Sequence, residues 1–263
     1  MWNLDYSPIK LLIVLPNRSP MNPFLKKSTV CLVAGLTGSA LLLVLGHSGT
    51  IAWFPPIVVF SLVGLVLLSS LAFPVIWQYK EQKGTDRTDR VYAVMFALIK
   101  YSVAFNIASF GWKKIFGLQF IVSPEVASRP MNQQPGEILT WFYFGYSPTF
   151  GLLIAITQLV GAYFLLYRRT FLLSTLVLFT LMLNIALVDI FYRMNAGALI
   201  QAVVLTIGLL FLLLSEHRKL TEIFIRSAPA VPSVQINNSS LRQVIRLSAI
   251  LLSLLFTYYI AIR

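Results

Sequence analysis

The amino-acid sequence predicts an all-α, polytopic membrane protein with about seven transmembrane helices, and three observations support this fold class. Of the 263 residues, 57% are hydrophobic and only 11% are charged, whereas about a quarter of the residues in a soluble domain are charged. Seven segments approach the roughly 20 apolar residues that a transmembrane helix requires. Lys and Arg are concentrated in alternate connecting loops. The predicted spans are 28–46, 56–77, 92–111, 149–167, 170–192, 196–214 and 244–262.

The distribution of positive charge predicts the orientation of the chain. Twenty-one Lys and Arg against nine Asp and Glu give a formal net charge of +12. Cytoplasmic loops carry the excess of Lys and Arg in membrane proteins. A cytoplasmic N-terminus places fifteen of them inside and five outside, with Lys100 within a span. We therefore expect the N-terminus in the cytoplasm and the C-terminus outside. A nucleic-acid partner is not expected, because no folded soluble face carries the basic charge.

Cysteine and histidine are too few to predict a metal or thiol site. Cys31, the only cysteine, excludes an intramolecular disulfide and a CxxC pair. His47 and His217 are the only histidines, and both fall in predicted loops. We therefore predict no metal and no cofactor bound by cysteine or histidine. The apolar run before Pro16 has only about six residues, too few for the central region of a secretory signal.

Changes in composition divide the chain into six predicted segments. The linker YKEQKGTDRTDR is strongly charged, and SAPAVPSVQINNSS is rich in Pro, Ser and Asn. Between these linkers, four spans are joined by one long outer loop and two tight turns, which predicts a central four-helix bundle. The segments are a cytoplasmic leader (1–27), two added spans (28–78), a charged linker (79–90), the bundle (91–220) with its outer loop (112–148), a second linker (221–243) and a last span (244–263).

Polar residues at similar depths predict a layer inside this bundle. An α-helix rises about 1.5 Å per residue, which places Asn106 and Asn184 about 21 Å above the inner edge of their spans. Gln201 lies about 22 Å and Gln158 about 16 Å above the same edge. Amides from three helices therefore share one layer, with Gln158 just beneath it. This layer either holds the helices together by hydrogen bonds or lines a ligand cavity.

Lys100, Asp189 and Arg193 are the ionisable residues of the central spans that bear on a candidate site. Lys100 lies about 12 Å from the inner edge, with no acid at its depth, and must snorkel, pair or face water. Asp189 lies too far above it for direct contact. Arg193 follows Asp189 by four residues, the favourable order for a helical ion pair. We therefore expect Asp189 and Arg193 to pair at the outer rim, and Lys100 to join the candidate ligand-binding residues of the layer.

The outer loop carries an aromatic cluster, WFYFGY, at 141–146. Such a cluster is typical of a short helix lying in the membrane interface. Lys113 and Lys114 follow the third span, where they either attract an anion or mark the level of the lipid headgroups. No catalytic residue is predicted. The candidate residues of the outer face are Lys114, Gln119, Tyr146, Asp189 and Arg193.

Four motifs, GWKKIFGLQF, GYSP, ITQLVGAYFLLYRRT and LNIALVDIFY, follow one another in this order. In these motifs the chain resembles the DoxX-like membrane proteins over residues 88–220. The resemblance implies a four-helix bundle in the bacterial cytoplasmic (inner) membrane. The family takes its name from a subunit of a thiosulfate:quinone oxidoreductase. The resemblance falls on Gly111, Lys114, Gln119, Phe120, Gly145, Tyr146, Ser147, Gly161, Arg168, Arg169, Thr170, Asn184 and Tyr192.

The chain also departs from this pattern at two places. Gln158 stands where such sequences often carry Glu, which weakens any proton-coupled chemistry at the position. The segment MNAGAL after Tyr192 lacks the acidic and basic residues expected of closer relatives.

The sequence favours a DoxX-like membrane subunit or module that binds a partner protein or a hydrophobic small molecule, and it assigns no reaction. The alternative is the membrane subunit of a quinone-linked oxidoreductase, with electrons arriving from a partner subunit or a soluble donor. The expected partners are the lipid bilayer and a membrane or periplasmic subunit. A small-solute carrier is less favoured, because internal repeats and broken helices are not evident. In the quinone hypothesis the ligand would lie among Lys100, Asn106, Gln158, Asn184 and Gln201.

Overall fold

The computed structural model describes residues 22–47, 50–51, 54–83, 88–227 and 239–262. In these residues the chain forms helices and turns, with an isolated bridge between Ile51 and Phe54 and no β-strand. A π-helical turn, Glu222–Arg226, directly follows Thr221, the last residue of a short α-helix. The helices are α1 (Pro23–Leu45), α2 (Pro56–Gln82), α3 (Thr88–Ile115), α4 (Pro124–Ala127), α5 (Gly136–Tyr146), α6 (Pro148–Leu165), α7 (Phe171–Phe191), α8 (Ala196–Ser215), α9 (His217–Thr221) and α10 (Ser239–Ile262).

Seven of these helices, α1, α2, α3, α6, α7, α8 and α10, are long and apolar enough to cross a membrane. Each overlaps one predicted span and differs from it by at most five residues at either end. The prediction of a multi-pass helical membrane protein is therefore confirmed. The boundary drawn at residue 27 falls inside α1, so Lys27 belongs to a helix and not to the leader.

Local sequence explains where several of these helices begin. Proline is favoured in the first turn of a helix because its missing N–H would have no partner there. Pro23 and Pro148 occupy this position in α1 and α6. The residue before each proline caps the helix: the side chains of Asn22 and Ser147 accept hydrogen bonds from backbone N–H groups of the first turn. A capping side chain of this kind contributes about 1 kcal/mol.

The chain divides into two compact units, residues 1–217 and 218–263. In the first unit, α3 contacts α6 and α8, α7 also contacts α6 and α8, and α1 packs against α2, α3 and α8. The second unit contains most of α9, the π-helical turn and α10.

Small residues let the helices of the first unit approach closely, as is common in membrane proteins. A Cβ atom placed on Gly111 of α3 would lie 2.9 Å from Leu159 Cγ and 3.1 Å from the Ala155 carbonyl oxygen of α6. On the other side of α6, a Cβ atom on Gly161 would lie 2.6 Å from Leu178 Cδ2 of α7. These positions fix α6 between α3 and α7.

Candidate functional site

The short helix α5 is fixed against the ends of two long helices. A Cβ atom on Gly136, its first residue, would lie 2.4 Å from the Tyr192 carbonyl oxygen, so only glycine permits this approach to the end of α7. Asn195 Nδ2 donates a 3.0 Å hydrogen bond to Glu137 Oε1. Asn195 Oδ1 also caps α8 by accepting a hydrogen bond from the Ala198 N–H at 3.0 Å. This region, where α5 lies against the end of α7 and the starts of α6 and α8, is called the α5 end.

A cluster of charged side chains lies at the α5 end. Asp189 of α7 is buried, with 6% of its surface exposed. It is attracted by Lys114 of α3 and repelled by Glu137 of α5. Lys114 Nζ lies 3.5 Å from the Phe110 carbonyl oxygen of its own helix. Charged side chains of α3, α5 and α7 therefore lie near enough at the α5 end to interact electrostatically, without an ion pair between Lys114 and Asp189 in the described part of the chain.

The predicted ion pair between Asp189 and Arg193 is wrong. Helix α7 ends at Phe191, and Arg193 is exposed in the left-handed backbone region, with φ of 53°. The four-residue spacing brings two side chains together only on a continuous helix. The Met194 N–H instead donates a 3.0 Å hydrogen bond to the Asp189 carbonyl oxygen as the chain turns away.

An apolar pocket of about 760 Å³ lies at the α5 end. Most of its lining is aromatic or aliphatic, and Tyr143, Tyr146 and Ser147 supply hydroxyl groups. Tyr146 is 91% exposed, so its ring stands at the rim. The pocket is lined by Phe120, Val122, Ala127, Met131, Leu139, Trp141, Phe142, Tyr143, Gly145, Tyr146, Ser147 and Phe150.

Stacked aromatic rings support one wall of this pocket: Phe120 and Phe150 line it, and each stacks on Phe144, which is not part of the lining. The Phe144 ring centroid lies 5.4 Å from that of Phe120 and 6.0 Å from that of Phe150, with nearly parallel planes in both pairs. Tyr143 meets Phe150 edge-on at 5.9 Å. Phe120 has φ of 65°, an uncommon backbone conformation for a residue with a side chain. Because Lys114 Nζ lies 5.8 Å from the Phe120 ring centroid, this ring connects the charged cluster with the pocket.

The aromatic cluster of the outer loop does form a short helix, α5, as predicted from the sequence. Its position in the membrane interface stays a prediction. Trp141, Phe142 and Tyr143 line the pocket, a role that the prediction of an interface helix did not include. Of the other outer-face candidates, Gln119 is half-buried and does not line the pocket.

The predicted polar layer is only partly present. Asn106 and Gln158 are buried, with 0% and 1% of their surfaces exposed. Asn106 Nδ2 donates a 2.7 Å hydrogen bond to the Ser102 carbonyl oxygen of the same helix. Asn106 Oδ1 and Gln158 Oε1 have no hydrogen-bond partner among the described residues. Gln201 is half-buried.

Asn184 lies outside this layer, contrary to the prediction. Helix α7 buries Met182, Ala186 and Asp189, which follow one another at helical spacing. Each residue of an α-helix is rotated about 100° from the one before, so Asn184, two residues from both Met182 and Ala186, points to the opposite side. It is exposed. The sequence did not indicate the direction in which this side chain points, and its depth in the membrane stays a prediction.

Lys100 is also not part of the layer. Its Nζ donates a 3.2 Å hydrogen bond to the Leu166 carbonyl oxygen, just past the end of α6, and lies 5.4 Å from the Tyr101 ring centroid. Helix α3 is ten residues longer than α6, and Lys100 is therefore level with the α6–α7 turn. An ammonium group is favourable at the negative C-terminal end of a helix.

A second charged cluster joins α1, α2 and α3 and was not predicted. The ammonium group of Lys27 is buried, forms an ion pair with Glu81 and donates a 2.6 Å hydrogen bond to Gln78 Oε1. Thr88 Oγ1 donates a 2.8 Å hydrogen bond to Glu81 Oε1. The sequence did contain a signal for this cluster: Lys27 lies near the start of the apolar run of α1, and Glu81 lies at the end of the apolar run of α2. No group of three or more His, Cys, Asp or Glu in the described part of the chain could hold a metal ion.

Comparisons with known proteins identify one relative and no fold match. The chain is 30% identical over 129 residues to a protein of Bacillus subtilis (strain 168) named uncharacterized protein YwoB. The match covers 49% of this chain and 80% of that protein. No family model matches, and no solved structure matches. The chain belongs to the same protein family as YwoB.

Proposed function

We propose that this chain is a DoxX-like protein of the bacterial inner membrane that binds a hydrophobic small molecule in the pocket at the α5 end. The contacts of α3 with α6 and α8, and of α7 with the same two helices, support a four-helix bundle. The excess of Lys and Arg in the loops at the opposite end supports a cytoplasmic N-terminus. In this orientation the pocket opens on the outer side of the membrane.

The pocket itself is the observation that carries the proposal. Sites for small molecules are typically clefts of about 300–1,000 Å³ with apolar walls and a few polar groups, and this pocket of about 760 Å³ has that composition. The hydroxyl groups of Tyr143, Tyr146 and Ser147 would hydrogen-bond the polar part of a ligand. Its apolar part would contact Leu139 and the aromatic wall. A molecule that partitions into the bilayer suits both surfaces.

The wall favours quinone as the second candidate. Aromatic side chains make up much of the pocket lining, among them Phe120 and Phe150, and an aromatic ring packs favourably against such side chains by offset stacking. The tyrosine hydroxyl groups would donate hydrogen bonds to quinone carbonyl oxygens. In this case the chain would bind quinone as a membrane subunit, and a partner subunit or soluble donor would supply the electrons.

The experiment compares two tryptophan variants at adjacent exposed positions. Ala127→Trp places an indole in the pocket, whereas Ser128→Trp places one beside it. Each protein is purified in lipid nanodiscs, and its bound small molecules are extracted and identified by mass spectrometry. We expect an apolar molecule enriched over bulk lipid in the wild type and in Ser128→Trp but lost from Ala127→Trp. Equal recovery from all three proteins, or bulk lipid alone, would refute the proposal.

A fluorescence titration tests the quinone candidate separately. Trp141 lines the pocket, so a bound quinone would quench its indole fluorescence. Titration with decylubiquinone should give saturable quenching that Trp141→Phe removes. Linear quenching that is the same in both proteins would mean that the quinone only dissolves in the bilayer. The small-molecule proposal would then rest on the mass spectra alone.

A further inference from the structure

The exposed face of α7 has the spacing of a helix-pairing surface. Six of its residues, all exposed, follow one another at alternating intervals of four and three. This 3.5-residue period keeps two supercoiled helices in contact along their length. We call this face the α7 seam; it consists of Leu173, Val177, Thr180, Asn184, Leu187 and Phe191.

One side chain of the α7 seam lacks a partner. The Thr180 hydroxyl donates a 3.0 Å hydrogen bond to the Leu176 carbonyl oxygen of its own helix. The amide of Asn184 makes no hydrogen bond in the described part of the chain, although its oxygen can accept hydrogen bonds and its NH2 group can donate them.

The depth of Asn184 makes this lack of a partner costly. Asn184 lies thirteen residues from the start of α7 and seven from its end, which corresponds to about 20 Å and about 10 Å of helix. A hydrocarbon core about 30 Å thick therefore surrounds this position. Lipid tails offer no hydrogen bond there, and burying an unpaired amide is unfavourable.

We propose that the α7 seam is the surface through which two copies of this chain associate, with their Asn184 side chains paired. All copies in a membrane share one orientation, so a twofold axis relating two of them runs along the membrane normal. Such an axis makes the two α7 helices parallel and brings each seam residue opposite its own copy. An amide carries donors and an acceptor, and two Asn184 side chains therefore complement one another.

The shape of the surface beside the α7 seam agrees with this pairing. A groove of about 270 Å³ between α6 and α7 is lined in part by Leu173 and Val177, the first two seam residues. Apolar side chains of a second copy would fill it near the α6–α7 turn. Self-association through α7 does not depend on the ligand pocket at the α5 end.

Cysteine cross-linking in the membrane tests this arrangement directly. The single natural cysteine, Cys31, is buried, so Cys31→Ser provides a background without thiols. Asn184→Cys and Leu187→Cys are introduced one at a time and oxidised with copper phenanthroline in native membranes. Phe105→Cys is the control, because Phe105 is exposed on α3, the helix opposite α7 among the contacting four. We expect covalent dimers for both seam variants and none for the control. No dimer at either seam position, or equal dimer at position 105, would overturn the proposal.

A second measurement assigns the role of the amide. Labelled protein is reconstituted in phosphatidylethanolamine–phosphatidylglycerol vesicles, and dimerisation is measured by energy transfer as the protein-to-lipid ratio changes. Hydrogen bonds between membrane helices contribute about 0.6–2 kcal/mol, so Asn184→Leu should weaken association about three- to thirty-fold. Thr180→Val should leave association unchanged, because the Thr180 hydroxyl bonds to its own helix. Unchanged association in Asn184→Leu, or equal loss in both variants, would contradict pairing through Asn184.

Discussion

The charged cluster at the start of α1 predicts that two substitutions in one ion pair have unequal effects. Lys27 is 4% exposed and has two polar partners, Glu81 and Gln78. The side chain of Glu81 is 36% exposed and also accepts a hydrogen bond from Thr88. Removing Glu81 therefore leaves a buried cation, whereas removing Lys27 leaves a carboxylate that water reaches.

The magnitudes follow from this difference in exposure. Breaking a fully buried ion pair costs about 3–5 kcal/mol. Because water reaches Glu81 and screens the pair, we expect a cost of about 2–3 kcal/mol for Glu81→Leu. Lys27→Met should cost about 1 kcal/mol, because Glu81 keeps water and Thr88 as partners. In the double variant neither charge remains, and its loss of stability should be close to that of Lys27→Met alone.

Thermal unfolding in one detergent measures these differences. For a unit of this size, 1 kcal/mol corresponds to roughly 2–4 °C in Tm. Glu81→Leu should therefore lower the apparent Tm by about 4–12 °C, and Lys27→Met by less than half as much. Lys26→Met is a matched control, because Lys26 is exposed and its ammonium group lies 4.6 Å from the Tyr92 ring centroid rather than beside an acid. An equal or larger loss in Lys27→Met, or an additive double variant, would refute the reasoning.

Three further substitutions test the contacts that position the α5 end and α6. Gly136→Ala would bring a Cβ atom within 2.4 Å of the Tyr192 carbonyl oxygen. The substitution should weaken the packing of α5 by about 2 kcal/mol, and limited proteolysis should then cleave the loop before α5 faster than in the wild type. Arg193→Gly relieves a φ of 53° and should raise the stability measured by thermal unfolding by about 0.5–1 kcal/mol, whereas no change would mean that this conformation is not strained. Gly161→Ala should cost about 1 kcal/mol, since Leu178 must move from a Cβ atom 2.6 Å away, and an unchanged Tm would show that it moves freely.

The number and limits of the membrane helices could be predicted because they depend on length and apolar content alone. The direction of each side chain could not be. Helix α7 is apolar on nearly all sides, with Met182 on its buried face and Leu187 on its exposed face. In a soluble protein, polar residues mark the outer face. In a membrane both faces are apolar, so the sequence did not indicate that Asn184 points outward or that Asp189 points inward.

The candidate pocket was beyond sequence reasoning for a different reason. Its aromatic residues were recognised, but their arrangement depends on contacts between distant segments. Gly136 meets Tyr192, and Glu137 meets Asn195 across 58 residues of sequence. Neither pair matches a local pattern of spacing. The position of Lys100 was misjudged because the prediction assumed helices of similar length, and α3 extends past the end of α6.

The distribution of polar groups favours a ligand site at the α5 end over one between the spans. Asn106 and Gln158 are neutral and tightly enclosed, and Lys100 reaches the backbone of a turn instead of the interior. At the α5 end, by contrast, the ammonium group of Lys114 lies 5.8 Å from the ring of Phe120, which lines the apolar pocket. In the proposed orientation, water reaches this level more easily than the middle of the bilayer, so charged groups cost less there. A membrane protein can therefore combine ionic groups with an apolar ligand surface at such an end, where lipid and water are both within reach.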